Sequence, residues 1–185
     1  MSQNKGASTG FQRWRHSHGY GVHSPFGYQL VTRVIRPGHV AYYGYADIDH
    51  ALAGPHIGRL RREARMLLRL AAMLDPDSIF LQNGAHPAYQ AAVRALGSRT
   101  RIVSTPKRAI DCDLICSLGD FIPLDTLKQA LSAPGHCVAL RDAPDGWADR
   151  LFEALPQGVM FSGPNNVLLI NRDGMQKINY PVSIG

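Results

Sequence analysis

The chain has few cysteines and no long apolar run, and both shortages exclude whole classes of protein. Its 185 residues include only three cysteines, with no Cys-x-x-Cys pair: Cys112, Cys116 and Cys137. This set predicts neither a disulfide framework nor a zinc site, and we interpret the thiols as core residues. No apolar segment approaches the roughly 20 residues that a membrane helix needs, and the N-terminus lacks a signal-peptide pattern. We therefore expect a cytoplasmic protein with no membrane partner.

Acidic residues are scarce in the first part of the chain. The first is Asp47, which follows five basic residues, and the net charge is +6. A second basic cluster is interrupted only by Glu63 and consists of Arg59, Arg61, Arg62, Arg65 and Arg69. These arginines could attract nucleic acid or another polyanion. The alternative is an ordinary solvated helix face.

The length and the 45% hydrophobic content predict one compact domain. We divide it into a basic tail over 1–15, expected to be disordered, an N-terminal helical cap over 16–76, and an α/β core over 77–185. In the cap, Ser24-Pro25 predicts the start of a helix that Pro37-Gly38 ends. A second, amphipathic helix is predicted over 57–74.

In the core, strands alternate with helices, and the order predicts an α/β fold with a mostly parallel sheet. The last two strand-like runs, 158–162 and 167–171, are separated by Gly163-Pro164-Asn165-Asn166, which predicts an antiparallel hairpin at the edge of the sheet. The earlier strands are expected at 78–82, 101–105, 113–117 and 136–140, with helices at 87–96, 124–131 and 147–155.

The strand, loop and helix over 78–97 have the layout of a nucleotide-binding turn. Asn83, Gly84 and His86 precede a helix whose N-terminal N–H groups would attract an anion. Pro87 has no N–H to donate, however, and the glycine content is low. The alternative is a simple turn in which His86 or Asn83 caps the helix.

Two aromatic and histidine clusters also allow two interpretations. The spacing of His16, His18 and His23 could indicate a metal, but no acid or cysteine lies nearby, and a structural turn with Ser24 is the alternative. A second cluster could stack on a base or could be half-buried packing residues: Tyr42, Tyr43 and Tyr45.

The order of cap, alternating core and terminal hairpin resembles the class I S-adenosylmethionine-dependent methyltransferase fold. The segment from His18 to Val31, with its His-Ser-Pro-Phe motif, looks like the start of a Bacteroidetes-type group of methyltransferase-like proteins. The tail from Asn171 to Val182 is similar to that group's ending. The resemblance implies a reduced Rossmann-like methyltransferase fold with an N-terminal helical cap.

The resemblance also implies a binding site for S-adenosylmethionine, formed by Asn83, Gly84, His86, Ser104, Gly119, Asp120 and Asp142. This site departs from the family pattern: Gln82 stands where an acid is expected, and the second strand ends Ser104-Thr105-Pro106, without a ribose-binding carboxylate. The connection between Thr105 and Asp113 is too short for the usual outer strand. The family features therefore look truncated and degenerate.

The sequence thus supports two functions. The first is methyl transfer, for which no catalytic residue can be named. The second is a non-catalytic binding or assembly module, which forms a homodimer through the exposed strand edge at 101–105 or binds a polyanion through its basic N-terminal region. Asp120 and Asp142 could hold a divalent ion, but Arg141 lies beside them, and we expect no metal.

Overall fold

A sheet with helices on both faces forms the body of the molecule, for which the computed structural model describes residues 10–38, 41–52, 57–82, 85–97, 99–118 and 122–184. The helices are α1 Gly10–Ser17, α2 Pro25–Leu30, α3 Tyr45–His50, α4 Ile57–Leu74, α5 Pro87–Arg94, α6 Leu124–Ala130 and α7 Trp147–Ala154, with a π turn at Val31–Ile35 and a 3-10 helix at Pro106–Asp111. The strands are β1 Ser78–Leu81, β2 Arg101–Val103, β3 Leu114–Ser117, β4 Cys137–Arg141, β5 Val159–Ser162, β6 Asn166–Ile170 and β7 Ile178–Pro181.

The sheet is mostly parallel. Its strands lie in the order β2-β1-β3-β4-β6-β5-β7, and the four strands from β2 to β4 run parallel to one another. β6 is antiparallel to both of its neighbours, because a tight turn closed by Gly163 N–H and the Asn166 carbonyl (2.8 Å) returns the chain beside β5. The expected α/β class is confirmed, and the fold is Rossmann-like.

Alternation along the strands sends apolar side chains to two separate cores. In β1, Ile79 and Leu81 pack on the face covered by α2, α4 and α5. Phe80 points to the opposite face, which the 3-10 helix, α6 and α7 cover. The three cysteines lie buried in these two cores, which confirms their interpretation as core thiols.

The hairpin is confirmed, but its expected position at the sheet edge is wrong. β6 lies between β4 and β5, and β7 lies beyond β5, parallel to it. β7 gives a weak sequence signal, since only Ile178 and Tyr180 are apolar and the strand ends in Pro181. Proline is tolerated at the edge of a sheet, where one side of the strand needs no partner. At the opposite edge lies β2, as expected from the short connection after it.

Helix α1 corrects the expectation of a disordered tail over 1–15. Residues 1–9 lie outside the described residues, but the helix begins at Gly10. Its C-terminal end is fixed to the segment around β7: Ser183 N–H donates to Ser17 Oγ at 2.8 Å, and His16 Nδ1 lies 3.0 Å from the Pro181 carbonyl. These contacts join residues that are far apart in the sequence. They stabilise a helix that the composition of residues 10–17 does not predict.

The glycine-rich segment between α1 and α2 has a structural role. Gly19 and Gly21 have φ angles of 82° and 79°, a left-handed conformation that favours glycine. A Cβ at Gly19 would lie 2.6 Å from the Tyr28 ring. Ser24 Oγ accepts from Gly27 N–H at 3.2 Å and caps α2. The structural interpretation of Ser24 is therefore confirmed.

Candidate functional site

The carboxyl edge of the parallel strands is where open α/β sheets bind their ligands. In this protein the N-terminal half of α4 lies across that edge, because α4 runs antiparallel to β1, which follows it in the chain. The edge is therefore faced by the arginine-rich turns of α4. None of the described helices is long and apolar enough to cross a membrane.

Three of the seven residues expected to bind the cofactor lie within the described ranges. Asn83, Gly84, Gly119 and Asp120 lie outside the described residues. His86 follows β1, Ser104 follows β2 and Asp142 follows β4. Neighbouring strands are about 4.8 Å apart, so Asp142 is about 10 Å from the β1 end and about 14 Å from the β2 end.

His86 and Asp142 each have a clear local role. The His86 side chain accepts from Ala88 N–H at 3.2 Å and caps α5, which confirms the capping alternative for this residue. Asp142 has a φ of 51°, and its N–H donates to the Asn165 carbonyl at 2.7 Å. Its exposed carboxylate accepts from Arg59 at 2.9 Å. Asp142 is thus directed toward α4.

A buried glutamate connects the side chains at this edge by hydrogen bonds. It was not among the residues expected at the site. Glu63 of α4 is only 6% exposed. Its Oε1 accepts from Arg59 Nε at 2.8 Å, and its Oε2 accepts from the Tyr89 hydroxyl at 2.5 Å and from an Arg141 guanidinium nitrogen at 3.0 Å. These three residues, with Glu63 and Asp142, form what we call the edge network.

Arg141 connects the network to the strand ends. Its second terminal nitrogen donates to the Leu118 carbonyl at 2.5 Å, just after β3, and its first lies 3.1 Å from the Tyr89 hydroxyl. One guanidinium therefore joins β3, β4, α4 and α5. A buried carboxylate is tolerated only when its lone pairs are filled by such donors.

The network also changes the acidity of its members. Burial raises the pKa of Tyr89, and its hydrogen bond to Glu63 raises it further. The Tyr89 hydroxyl therefore stays protonated at all ordinary pH values, and it donates a hydrogen bond to Glu63. The hydrogen bond to Glu63 also raises the pKa of Arg59. Neither Tyr89 nor Arg59 is therefore set up to release a proton near neutral pH.

The signal for Glu63 was present in the sequence. Leu60, Glu63, Ala64 and Leu67 recur at helical spacing, so Glu63 lies on the apolar face of α4, where a lone acid needs a partner. One partner is Arg59, one turn earlier on the same helix, and another is Arg141, which is 78 residues further along the chain.

The space directly beneath the edge network is small. The cavity under the edge network has a volume of about 40 Å³ and is lined mainly by apolar residues of α4, β3 and β4. Ligand pockets usually measure roughly 300–1,000 Å³. Arg141 and Glu63 occupy the space above the ends of β3 and β4, and no carboxylate follows β2, where Ser104 is half-buried.

Members of the histidine and tyrosine clusters make contacts within the protein. Within the described ranges, no three His, Cys, Asp or Glu side chains come together as a metal site would require. His18 Nδ1 lies 2.8 Å from the Trp14 carbonyl. Tyr42 and Tyr45 pack against the core, while the exposed Tyr43 donates its hydroxyl proton to the Ala95 carbonyl at 2.6 Å. The three tyrosines therefore do not form one open platform.

Comparisons of the chain with known protein families, with curated proteins and with solved structures find no match. The fold defines the class, an α/β protein with a Rossmann-like sheet. Its function has to be inferred from its own residues.

Proposed function

We propose that the chain is a methyltransferase-like domain that does not use S-adenosylmethionine and acts as a non-catalytic binding module. The observation that carries this proposal is the edge network. Its side chains fill the position at the carboxyl edge where a Rossmann-like fold would hold its ligand. A protein that used this position for a cofactor would leave it open or line it with groups free to bind.

The methyltransferase-like part of the proposal rests on the order of elements. A helical cap, alternating strands and helices, and a hairpin follow one another as the resemblance implies. β2 lies at the edge of the sheet, where the resemblance would place a further strand. The lost strand and the closed edge together favour a fold kept for binding.

A titration with S-adenosylmethionine and with its demethylated product tests the proposal. We expect no heat of binding and no change in thermal stability for either compound. A ligand present at 100 times its dissociation constant would stabilise the fold by roughly 2.7 kcal/mol, which is readily detected. Saturable binding of either compound to the unmodified protein would instead favour the second candidate, an active methyltransferase.

Two binding partners follow from specific observations. β2 is a three-residue strand at the sheet edge, so its outer backbone groups are available for pairing with a second copy of the chain.

The exposed rings of Phe11 and Trp14, both in α1, stack on each other beside Arg13 and Arg15. This arrangement suits single-stranded nucleic acid. A steep fall of affinity with salt would support nucleic-acid binding.

A further inference from the structure

A groove runs beside the arginine-rich face of α4. It measures about 600 Å³ and lies between α4, α3 and the segment after the π turn. A second hollow of about 230 Å³ shares three lining residues with it: Arg62, Glu63 and Asn166. Together they form one concave surface, which we call the arginine groove, and its size is that of a small-molecule site rather than of a track for a polymer.

The charge of the groove is strongly positive. Four arginines and one acid line its main part: Arg36, Arg62, Arg65, Arg69 and Glu63. Glu63 already accepts hydrogen bonds from three donors in the edge network. Its carboxylate is therefore engaged there and does little to neutralise the arginines of the groove. The groove thus concentrates positive charge at a concave surface, which raises the local concentration of anions.

Two of these arginines are held in place by the protein. Arg69 donates to the Val34 carbonyl and to the Tyr45 hydroxyl, both at 2.8 Å. The Arg65 guanidinium lies 4.5 Å from the centre of the Tyr45 ring and pairs with Asp49 at 2.8 Å. Its Nε is buried and has no hydrogen-bond partner among the described atoms. Arg65 is thus held in place with one of its donors unused.

The other two arginines are available. Arg36 and Arg62 are exposed, and their side chains make no hydrogen bond or ion pair with any other described residue. They extend from different elements, the end of the π turn and the second turn of α4, yet both line the groove. An anion between them would gain two charged donors without breaking an existing bond.

We propose that the arginine groove binds a small molecule through a phosphate or pyrophosphate group. Arginine presents a planar fork of donors that matches phosphate oxygens, and several guanidinium groups offer more donors than one carboxylate can accept. This inference rests on the proposed binding function. It is tested separately from it, because S-adenosylmethionine carries no phosphate.

The experiment is a calorimetric titration of the full chain with inorganic pyrophosphate and with adenosine 5′-phosphate at physiological salt, in unmodified protein and in three variants. Arg36→Ala and Arg62→Ala each remove one available donor. Arg150→Ala is the matched control, because Arg150 is an exposed arginine of α7 on the opposite face of the sheet. Circular dichroism checks that each variant is folded, which the exposure of all three side chains favours.

We expect saturable binding of pyrophosphate that weakens about tenfold or more in Arg36→Ala and in Arg62→Ala, the effect of losing one charged hydrogen bond, and that is unchanged in Arg150→Ala. Tighter binding of adenosine 5′-phosphate than of pyrophosphate would identify a nucleotide as the source of the phosphate. Three outcomes would overturn the inference: no saturable binding, an equal loss in the control, or a strong preference for single-stranded oligonucleotide over both small probes.

Discussion

Replacing Arg141 by methionine removes the central donor of the edge network. Methionine keeps an unbranched apolar side chain in the same space, so the change mainly deletes the guanidinium. Glu63 then keeps Arg59 and Tyr89 as partners but loses the 3.0 Å contact with Arg141. The Leu118 carbonyl loses its donor as well.

The expected cost follows from burial. The side chains of Glu63 and Arg141 are only 7% and 20% exposed, and breaking a buried ion pair by removing one partner costs about 3–5 kcal/mol. Because Arg59 still pairs with Glu63, we expect a loss near the lower limit, about 3 kcal/mol. If the free energy of unfolding falls by roughly 2 kcal/mol per molar urea, this loss lowers the urea concentration at the midpoint of unfolding by about 1.5 M.

The assay is urea unfolding followed by circular dichroism, in a double-mutant cycle with Glu63→Met. The double variant should lose less stability than the sum of the two single losses, with a coupling of about 2 kcal/mol. Asp142→Asn is the control, because the Asp142 side chain is 49% exposed where it pairs with Arg59 at 2.9 Å and with Arg141 at 3.6 Å, and such exposed pairs contribute less than about 1 kcal/mol. If Arg141→Met costs no more than this control, the reasoning about a buried network is refuted.

Three further predictions concern a glycine, the cysteines and the sheet edge. Gly158→Ala should cost at least about 2 kcal/mol in urea unfolding, because its φ is 109° and a Cβ would lie 2.1 Å from the Ile170 carbonyl oxygen. The three thiols should not react with a thiol reagent near neutral pH until the protein unfolds, because burial raises the pKa of each and brings that of Cys116 to about 12. Ile102→Pro should dissociate a homodimer formed through β2, measured by light scattering after size exclusion, since Arg101 N–H donates to the carbonyl of Asp77, just before β1, and the next N–H in a parallel strand faces outward.

Each of these predictions has its own control or contrary outcome. Gly174→Ala, at a φ of 72° with open space around it, should cost only about 1 kcal/mol. Rapid labelling of one thiol in the folded protein would show that a core is open. Elution of the unmodified chain as a monomer at high concentration would argue against β2 as an interface.

The long helix and the alternating core could be predicted because their signals are local. The helix expected over 57–74 is α4 itself, since its apolar spacing extends over five turns and breakers flank it. The strands gave runs of apolar residues that no helix period could explain. In both cases the residues that form an element also specify it.

Helix α1 and strand β7 could not be predicted for the opposite reason. Residues 10–17 have no apolar stripe, and the helix is fixed by Ser183 and Pro181. The candidate site has the same property. Asp142 was expected at the carboxyl edge and lies there. Glu63, on helix α4, was not expected there, and Arg141 contacts it from the end of strand β4. A sequence shows that an acid needs a partner and does not show which arginine supplies it.

The attachment of α1 to β7 also sets an order of events in folding. A helix of eight residues is unstable alone in water, and its two anchoring bonds join residues 165 and 166 positions apart. The contacts that stabilise α1 therefore cannot form until β7 has joined the sheet. We therefore expect docking of α1 to be a late step that follows the transition state, so that weakening it accelerates unfolding and leaves the folding rate unchanged.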